Sequence, residues 1–92
     1  MNVLTKATFK RDVSRVKTLS LLVALREKIT QVETAPALSF ITGLKLLRGY
    51  TTHYRIQVRT AEDSFRIGAI IRGNNIRLVR FLPRSKIYKN FP

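Results

Sequence analysis

The hydrophobic pattern of this chain changes its period near residue 44, and this change limits the possible folds more than any other feature. Before that point apolar residues recur at helical spacing. Phe9, Val13 and Val16 lie on one face of a helix predicted over about residues 7–17. After that point apolar and polar residues alternate, which is typical of half-buried β-strands. The chain therefore combines a helical half with a sheet-forming half.

A second apolar stripe predicts another helix in the first half, formed by Leu21, Leu22, Leu25, Ile29 and Val32. Thr18 or Ser20 is the expected N-cap. Ala35-Pro36 ends the helix, because the residue before proline avoids the α region. We expect the two helices to form an antiparallel hairpin joined by a short turn. Residues 2–5 are a candidate for a brief preceding strand.

Three alternating segments in the second half predict strands at residues 53–59, 64–72 and 76–82. Short turns at 60–63 and 73–75 separate them, and strands linked in this way run antiparallel. Pro83 ends the last strand and leaves a short irregular or helical tail.

The predicted class is α+β. An N-terminal short strand and a helical hairpin pack on one face of a three- to four-stranded antiparallel sheet, while the other face meets solvent. A chain of 92 residues allows one domain, and we expect it to span 1–92.

Composition excludes several kinds of site. The absence of cysteine removes disulfide scaffolds, thiolate metal sites and cysteine nucleophiles. His53 is the one histidine, which argues against a multi-histidine metal site, so we expect no metal and no cofactor. No apolar run approaches the roughly 18 residues of a membrane span. The N-terminus lacks the apolar segment of a secretory signal, so a cytoplasmic protein is expected.

Charge points to a polyanionic partner. Eighteen Lys and Arg against five Asp and Glu give a formal charge of +13. Residues 44–92 carry +9 of this charge, and eight of their eleven basic residues are arginine. The guanidinium fork matches phosphate oxygens, whereas an unbalanced excess of charge costs stability by self-repulsion. These observations favour nucleic acid as a ligand.

Four short segments of the second half occur in an order and spacing that resemble the RelE/ParE superfamily of bacterial toxin–antitoxin toxins. They are Leu47-Arg48-Gly49-Tyr50, Tyr54-Arg55-Ile56-Gln57-Val58, Phe65-Arg66-Ile67 and Arg84-Ser85-Lys86-Ile87-Tyr88. The resemblance implies a RelE-like fold, a twisted antiparallel sheet with a helical pair against one face. It also implies either ribosome-dependent mRNA cleavage or poisoning of DNA gyrase, with a cognate antitoxin that wraps the toxin.

Metal-independent RNA cleavage uses the 2′-hydroxyl as nucleophile, so the enzyme must move protons and stabilise charge on the phosphate. The resemblance assigns Arg66 to the scissile phosphate and Arg84 to the charge of the transition state. It gives Tyr88 a role in base stacking or proton transfer. Arg55 keeps the charge of a strand position that is basic in the ribosome-dependent branch. We take these four residues as the catalytic candidates.

Nine further residues are expected to contact RNA, mainly through its backbone. They are Lys45, Arg48, His53, Gln57, Arg59, Arg77, Arg80, Lys86 and Lys89. For Arg59, Arg77, Arg80 and Lys89, a plain solvated charge is the alternative.

Two departures from the family pattern weaken the case for a nuclease. Gln57 replaces a basic residue, and Pro83 stands where some relatives have a histidine. Both favour a gyrase-directed or other non-nuclease toxin as the second interpretation. A non-catalytic RNA-binding module is the third. The expected partners are an antitoxin in a hetero-oligomer, mRNA and the ribosome, but no membrane.

Three other residues are expected to have structural roles. Asp12 is expected to support its helix by facing Arg15 at i+3. Tyr50 and Phe40 are expected to pack in the core, with an antitoxin-binding groove as the alternative.

Overall fold

A five-stranded sheet with helices on both faces is the framework of the protein in the computed structural model, which describes residues 1–92. The strand order is β1-β5-β4-β3-β2. In chain order the elements are β1 (Asn2–Thr5), α1 (Ala7–Ser14), α2 (Leu19–Thr34), a 3₁₀ turn (Leu38–Phe40), β2 (Leu44–Leu46), β3 (His53–Arg59), β4 (Ser64–Arg72), β5 (Asn75–Pro83) and α3 (Arg84–Asn90). No helix has the length and apolar character needed to cross a membrane.

The predicted α+β class is confirmed, and the elements with strong periodicity lie where they were expected. Helix α1 ends at Ser14, three residues before the predicted boundary, and α2 ends just ahead of Pro36. Thr18 occupies the N-cap position of α2, but its side chain makes no capping hydrogen bond. The three long strands agree with prediction to within one residue at each end.

The sheet has five strands rather than three or four, and one pair is parallel. Strand β2 has only three residues, too few to show an alternating pattern, and it pairs antiparallel with β3. Strand β1 lies parallel to β5, with Asn2 opposite Asn75. That pairing joins residues more than 70 positions apart, and a local pattern carries no information about it.

The main core lies between the sheet and the helices α1 and α2. Leu21, Leu25 and Val32 of α2 are buried there, together with Phe9 of α1. The sheet contributes alternate residues of its three long strands, namely Ile56, Val58, Ile67, Ala69, Ile71, Ile76, Leu78 and Phe81. The period-two pattern of the sequence therefore marks the face that packs on the helical hairpin.

Asp12 joins α1 to the edge of β5. Its buried carboxylate, 4% exposed, accepts hydrogen bonds from Arg80 Nε at 2.7 Å and Arg80 Nη2 at 3.2 Å. It also accepts one from the backbone N–H of Phe81 at 2.9 Å. The hydrogen bond to Asp12 raises the pKa of Arg80. The predicted pairing of Asp12 with Arg15 is wrong, because the carboxylate faces the sheet instead of the helix surface.

Other groups continue the same edge. The backbone N–H of Lys6 donates to the carbonyl of Leu78 at 2.9 Å, and the Thr8 hydroxyl donates to the carbonyl of Val79 at 2.6 Å. Beyond the end of β1, Lys6 and Thr8 therefore make hydrogen bonds to β5 in place of a longer strand. This substitution leaves few unpaired backbone groups along β5.

Helix α3 covers part of the second face of the sheet, which the sequence predicted to be open to solvent. Ile87 and Phe91 are its buried anchors, and the ring of Phe91 lies over Gly68. A Cβ atom at position 68 would come within 2.5 Å of that ring. Since the neighbours Ile67 and Ala69 belong to the main core, Gly68 faces the opposite side. The missing side chain thus forms a notch that receives Phe91.

We expect Asp12→Ala to lower the free energy of unfolding by about 2–4 kcal/mol, because it leaves Arg80 and the Phe81 N–H without their acceptor. Urea unfolding at neutral pH measures the loss. Glu27→Ala, at an exposed position of α2, is the control and should change stability by less than about 0.5 kcal/mol. Equal stabilities for the two variants would contradict the structural role of Asp12.

We expect Gly68→Ala to expel Phe91 from its notch and to cost about 1–3 kcal/mol, since a buried phenyl ring is lost from the core. Hydrogen exchange should show faster exchange in residues 84–90 with little change in β3 and β4. The double variant Gly68→Ala/Phe91→Ala should be no less stable than Phe91→Ala alone. Additive losses would show that the two residues do not meet.

Candidate functional site

The four predicted catalytic residues converge where α3 meets β3 and β4. Arg66 lies on β4 directly opposite Gln57, and Arg55 lies two residues earlier on β3. Arg84 and Tyr88 are four residues apart on α3, so they share one face of the helix. Arg55, Arg84 and Tyr88 all lie close enough to Arg66 to influence its pKa. These four residues therefore lie together and are called the arginine cluster below (Arg55, Arg66, Arg84 and Tyr88).

Arg66 is unusual among the arginines because it is buried, with 7% of its surface exposed. Its Nη1 donates to the Ser64 hydroxyl at 3.0 Å and to the Phe65 carbonyl at 3.1 Å. Burial lowers the pKa of Arg66 and the charge of Arg55 lowers it further, Tyr88 acts in the opposite direction, and Arg84 adds a smaller lowering. Arg66 is thus a fixed and partly desolvated cation.

Arg55 is held in a similar way. Its Nη1 donates to the carbonyl of Gly43 at 2.9 Å. The Nε atoms of Arg55 and Arg66 are both buried and have no hydrogen-bond acceptor among the atoms of the chain. Buried donors of this kind are costly unless they are satisfied, and two cations side by side repel each other. An oxyanion bound beside the two guanidinium groups would offset their mutual repulsion, so the pair is suited to a phosphate group.

Tyr88 stands between two depressions of the surface. One has a volume of about 590 Å³ and is lined by Ser64, Pro83, Arg84 and Ser85 as well as Tyr88. The other, of about 500 Å³, is bordered by the β2–β3 loop, Arg55, Tyr88 and the end of the chain. Tyr88 itself is 56% exposed. Its ring and hydroxyl are therefore accessible to a ligand that contacts the arginine cluster.

The other predicted RNA contacts lie at several places on the surface. Lys45 and Arg48 line the 500 Å³ depression next to Arg55, and Lys86 and Lys89 are exposed on α3. Gln57 and Arg59 instead border a groove between β3 and α2, although Gln57 is opposite Arg66 in the sheet. Arg77 is exposed on β5 opposite Ile70, away from Arg66.

Arg80 departs most from its predicted role. Its guanidinium is engaged by Asp12 through two hydrogen bonds. That ion pair places it in the link between α1 and β5, so we assign it a structural part.

Proton-transfer groups are scarce around the arginine cluster. His53 lies on the same strand face as Arg55 but four residues from Gln57, about 13 Å along the strand. Its ring stands between Tyr50 and Phe91, with ring centroids 4.8 Å and 5.7 Å away. No three His, Cys, Asp or Glu side chains lie together as a metal site would require. Tyr88 is thus the candidate for proton transfer within the cluster.

Sequence reasoning missed the packing that holds the cluster in place. Tyr50 and Phe40 were expected in the core, but both are exposed, with Tyr50 at 43%. Phe91 was not singled out, yet it fixes the end of α3 over Gly68. A glycine inside an otherwise apolar strand is the one signal that could have indicated this close approach.

We expect pyrophosphate to stabilise the protein through the arginine cluster. At ten times its dissociation constant, a ligand that binds only the folded state adds about 1.4 kcal/mol, or roughly 5–10 °C in Tm for a domain of this size. Arg66→Gln should lose most of this shift. Arg72→Gln, at the exposed end of the same strand, should keep it. Thermal melts at matched ionic strength test this, and equal shifts in both variants would rule out a specific site.

Comparison with known proteins gives similarity at the level of structure. A scan against protein-family models finds no match, and no curated protein matches the chain. A chain of the RelB–RelE antitoxin–toxin complex from Methanococcus jannaschii superposes with a TM-score of 0.74 and 28% identity, covering 97% of this chain and 99% of that one.

Two proteins from Helicobacter pylori share the fold at lower identity. A metal-bound toxin superposes with a TM-score of 0.55 and 19% identity, over 95% of this chain and 98% of that one. The conserved hypothetical protein HP0894 gives 0.57 and 14%, over 92% and 96%. The similarity over nearly the full length of each chain confirms the resemblance that the sequence motifs indicate, and the protein has a RelE-like fold.

Proposed function

We propose that the protein is the toxin of a toxin–antitoxin pair and that it cleaves mRNA on the ribosome without a metal ion. The observation that carries the proposal is the cluster of Arg55, Arg66 and Arg84 beside an accessible Tyr88. Cations that lie close together repel each other in the free protein. A bound phosphate would offset that repulsion.

In the proposed reaction the 2′-hydroxyl of the RNA loses its proton and attacks the adjacent phosphate. The bond from phosphorus to the 5′-oxygen breaks, and that oxygen takes up a proton, which leaves a 2′,3′-cyclic phosphate and a 5′-hydroxyl. The negative charge that develops on the phosphate lies beside the guanidinium groups of Arg55 and Arg66, whose positive charge stabilises it. Because these groups are already fixed by Gly43, Ser64 and Phe65, little reorganisation is needed when the charge forms. Arg84, at the exposed start of α3, adds positive charge from the solvent side.

Proton transfer is the weaker half of this site. The Tyr88 hydroxyl is the group placed to exchange a proton with the RNA, while Gln57 next to Arg66 is unable to act as acid or base. The proposal therefore requires the ribosome to hold the RNA in a reactive geometry. Orientation alone can supply about 7–11 kcal/mol of a reaction barrier. A weak base is sufficient when the nucleophile is already aligned.

A gyrase-directed toxin is the second candidate, and the observation that favours it is the same lack of an acid–base pair. His53 lies away from Arg66, and Gln57 and Pro83 occupy the positions where relatives carry ionisable groups. In that case the arginine cluster would bind a target without cutting it. The experiment below separates the two candidates.

An antitoxin is the proposed protein partner, by analogy with the M. jannaschii complex. The chain offers an apolar groove between α1 and α2, lined by Val13, Leu22, Leu25 and Ile29, with Arg26, Thr30 and Glu33 at its side. Together with the charge of +13, this groove suits an acidic and amphipathic segment. Binding of such a segment would also offset the self-repulsion of the basic chain.

The test is a cell-free translation reaction in which mRNA 5′ ends are mapped by primer extension. We expect new ends at codon-spaced positions that require ribosomes and are absent from naked mRNA. Arg66→Gln should slow their appearance by about 100-fold, since it removes a donor that stabilises the transition state. Arg72→Gln is the matched control and should cut at the wild-type rate.

Three results would change the proposal. Intact message with wild-type protein would favour the gyrase-directed candidate, and a supercoiling assay would follow. Cleavage that survives in Arg66→Gln would keep the nuclease but displace the site. Loss of cleavage in both variants would point to unfolding, which thermal melts of the same preparations would reveal.

A further inference from the structure

We propose that the 500 Å³ depression next to Arg55 is a nucleobase pocket for single-stranded RNA. It would hold an unstacked base whose phosphate is bound by Arg55 and Arg66. This inference rests on the proposed function, which identifies RNA as the substrate. It places a binding site for a base next to the phosphate site formed by the arginine cluster. Tyr50 is its central residue, and the motif comparison assigned no role to that side chain.

The pocket has the size and lining of a small-molecule site. Its volume lies within the range of about 300–1,000 Å³ typical of ligand pockets. Tyr50, Tyr88 and Phe91 contribute aromatic surface, and Leu46 and Leu47 add aliphatic surface. Such a lining favours a flat and largely apolar group, which describes a nucleobase.

Tyr50 is presented to this pocket by a rigid turn. The backbone N–H of Tyr50 donates to the carbonyl of Leu47 at 3.1 Å, and Gly49 has a φ of +82°, a conformation that favours glycine. The Tyr50 ring packs on His53, and His53 packs on Phe91. These contacts fix the ring without covering it, because Tyr50 remains 43% exposed. A fixed aromatic face with open surface is a stacking platform.

The charges around the pocket favour RNA over a peptide. Lys45, Arg48 and Arg55 all line it, and no Asp or Glu does. Arg55 belongs both to this pocket and to the arginine cluster, so a phosphate and its neighbouring base can be bound together. Aromatic platforms that alternate with basic side chains are typical of single-stranded nucleic acid sites, where bases are free to leave the helical stack.

Tyr50 would therefore act in substrate binding, separately from the chemistry on the phosphate. Each base stacked on an aromatic side chain typically gains enough that loss of the ring weakens binding by about 10-fold or more. A phenylalanine in its place retains the stacking face. The contribution of the ring should also disappear when the RNA has no base at the matching position.

The test measures binding of a 2′-O-methyl hexanucleotide, which the proposed reaction cannot cleave, by fluorescence anisotropy at low salt. We expect Tyr50→Ala to bind about 10-fold more weakly than wild type and Tyr50→Phe to bind within about twofold. Phe40→Ala removes another exposed aromatic residue, outside the pocket, and should bind as wild type. Thermal melts confirm that each variant is folded.

A set of hexanucleotides with one abasic position each completes the test. One of them should lose about 10-fold in affinity for wild type and show no further loss with Tyr50→Ala. The pocket would be overturned if wild type and Tyr50→Ala bound with equal affinity. It would also be overturned if the affinity losses from Tyr50→Ala and from each abasic position were fully additive. Neither result would contradict the proposed cleavage. Absence of RNA binding by wild type would overturn the pocket but not the proposed cleavage, in which the ribosome holds the RNA and which the translation assay tests separately. Capture of an acidic peptide by the same residues would reassign the pocket to a protein partner.

Discussion

The contact between Asp12 and the edge of β5 is the interaction on which the rest of the structure depends. It is a buried carboxylate in a chain with eighteen basic residues, and it accepts hydrogen bonds from both a side chain and the backbone. Through it the helical half is held on the sheet at a point 68 residues away in sequence. This contact lies at the border of the core that α1, α2 and the three long strands form.

The arginine cluster sets a second, opposing constraint. Arg55 and Arg66 are neighbouring cations in a partly desolvated place, and each keeps a buried donor without an acceptor. A chain selected for stability alone would replace one of them with a neutral residue. Local conflicts of this kind are expected where a protein sacrifices stability for function. The proposed ligands, an RNA phosphate and an acidic antitoxin, both supply the missing negative charge.

Local sequence patterns predicted the parts of the fold that repeat over many residues. Strands β3, β4 and β5 are long and joined by short turns, so their positions followed from the alternation of apolar and polar residues. The grouping of Arg55 with Arg66 came from the family resemblance. The parallel pairing of β1, the three-residue β2 and the docking of α3 escaped prediction. Each depends on a contact between residues that are distant in the sequence, and the local sequence pattern does not predict such contacts.

The same limit applies to individual site residues. Arg80 is an arginine on a strand, like the other predicted RNA contacts of the sheet. Its ion pair with Asp12 of α1 is visible only in the structure. Tyr50 has an aromatic side chain of the kind expected in a core, but the turn at Gly49 places it on the surface. Residue type and periodicity therefore did not show which of the predicted residues have a structural partner or lie on the surface.

The notch at Gly68 links two positions that are far apart in the chain but occupy one volume. A side chain at position 68 and an aromatic ring at position 91 exclude each other. During divergence, any relative that gains a Cβ in the middle of β4 must first accept a smaller residue at the end of its tail, or lose the docked helix. The order of these substitutions is thus constrained, and the two positions should vary together.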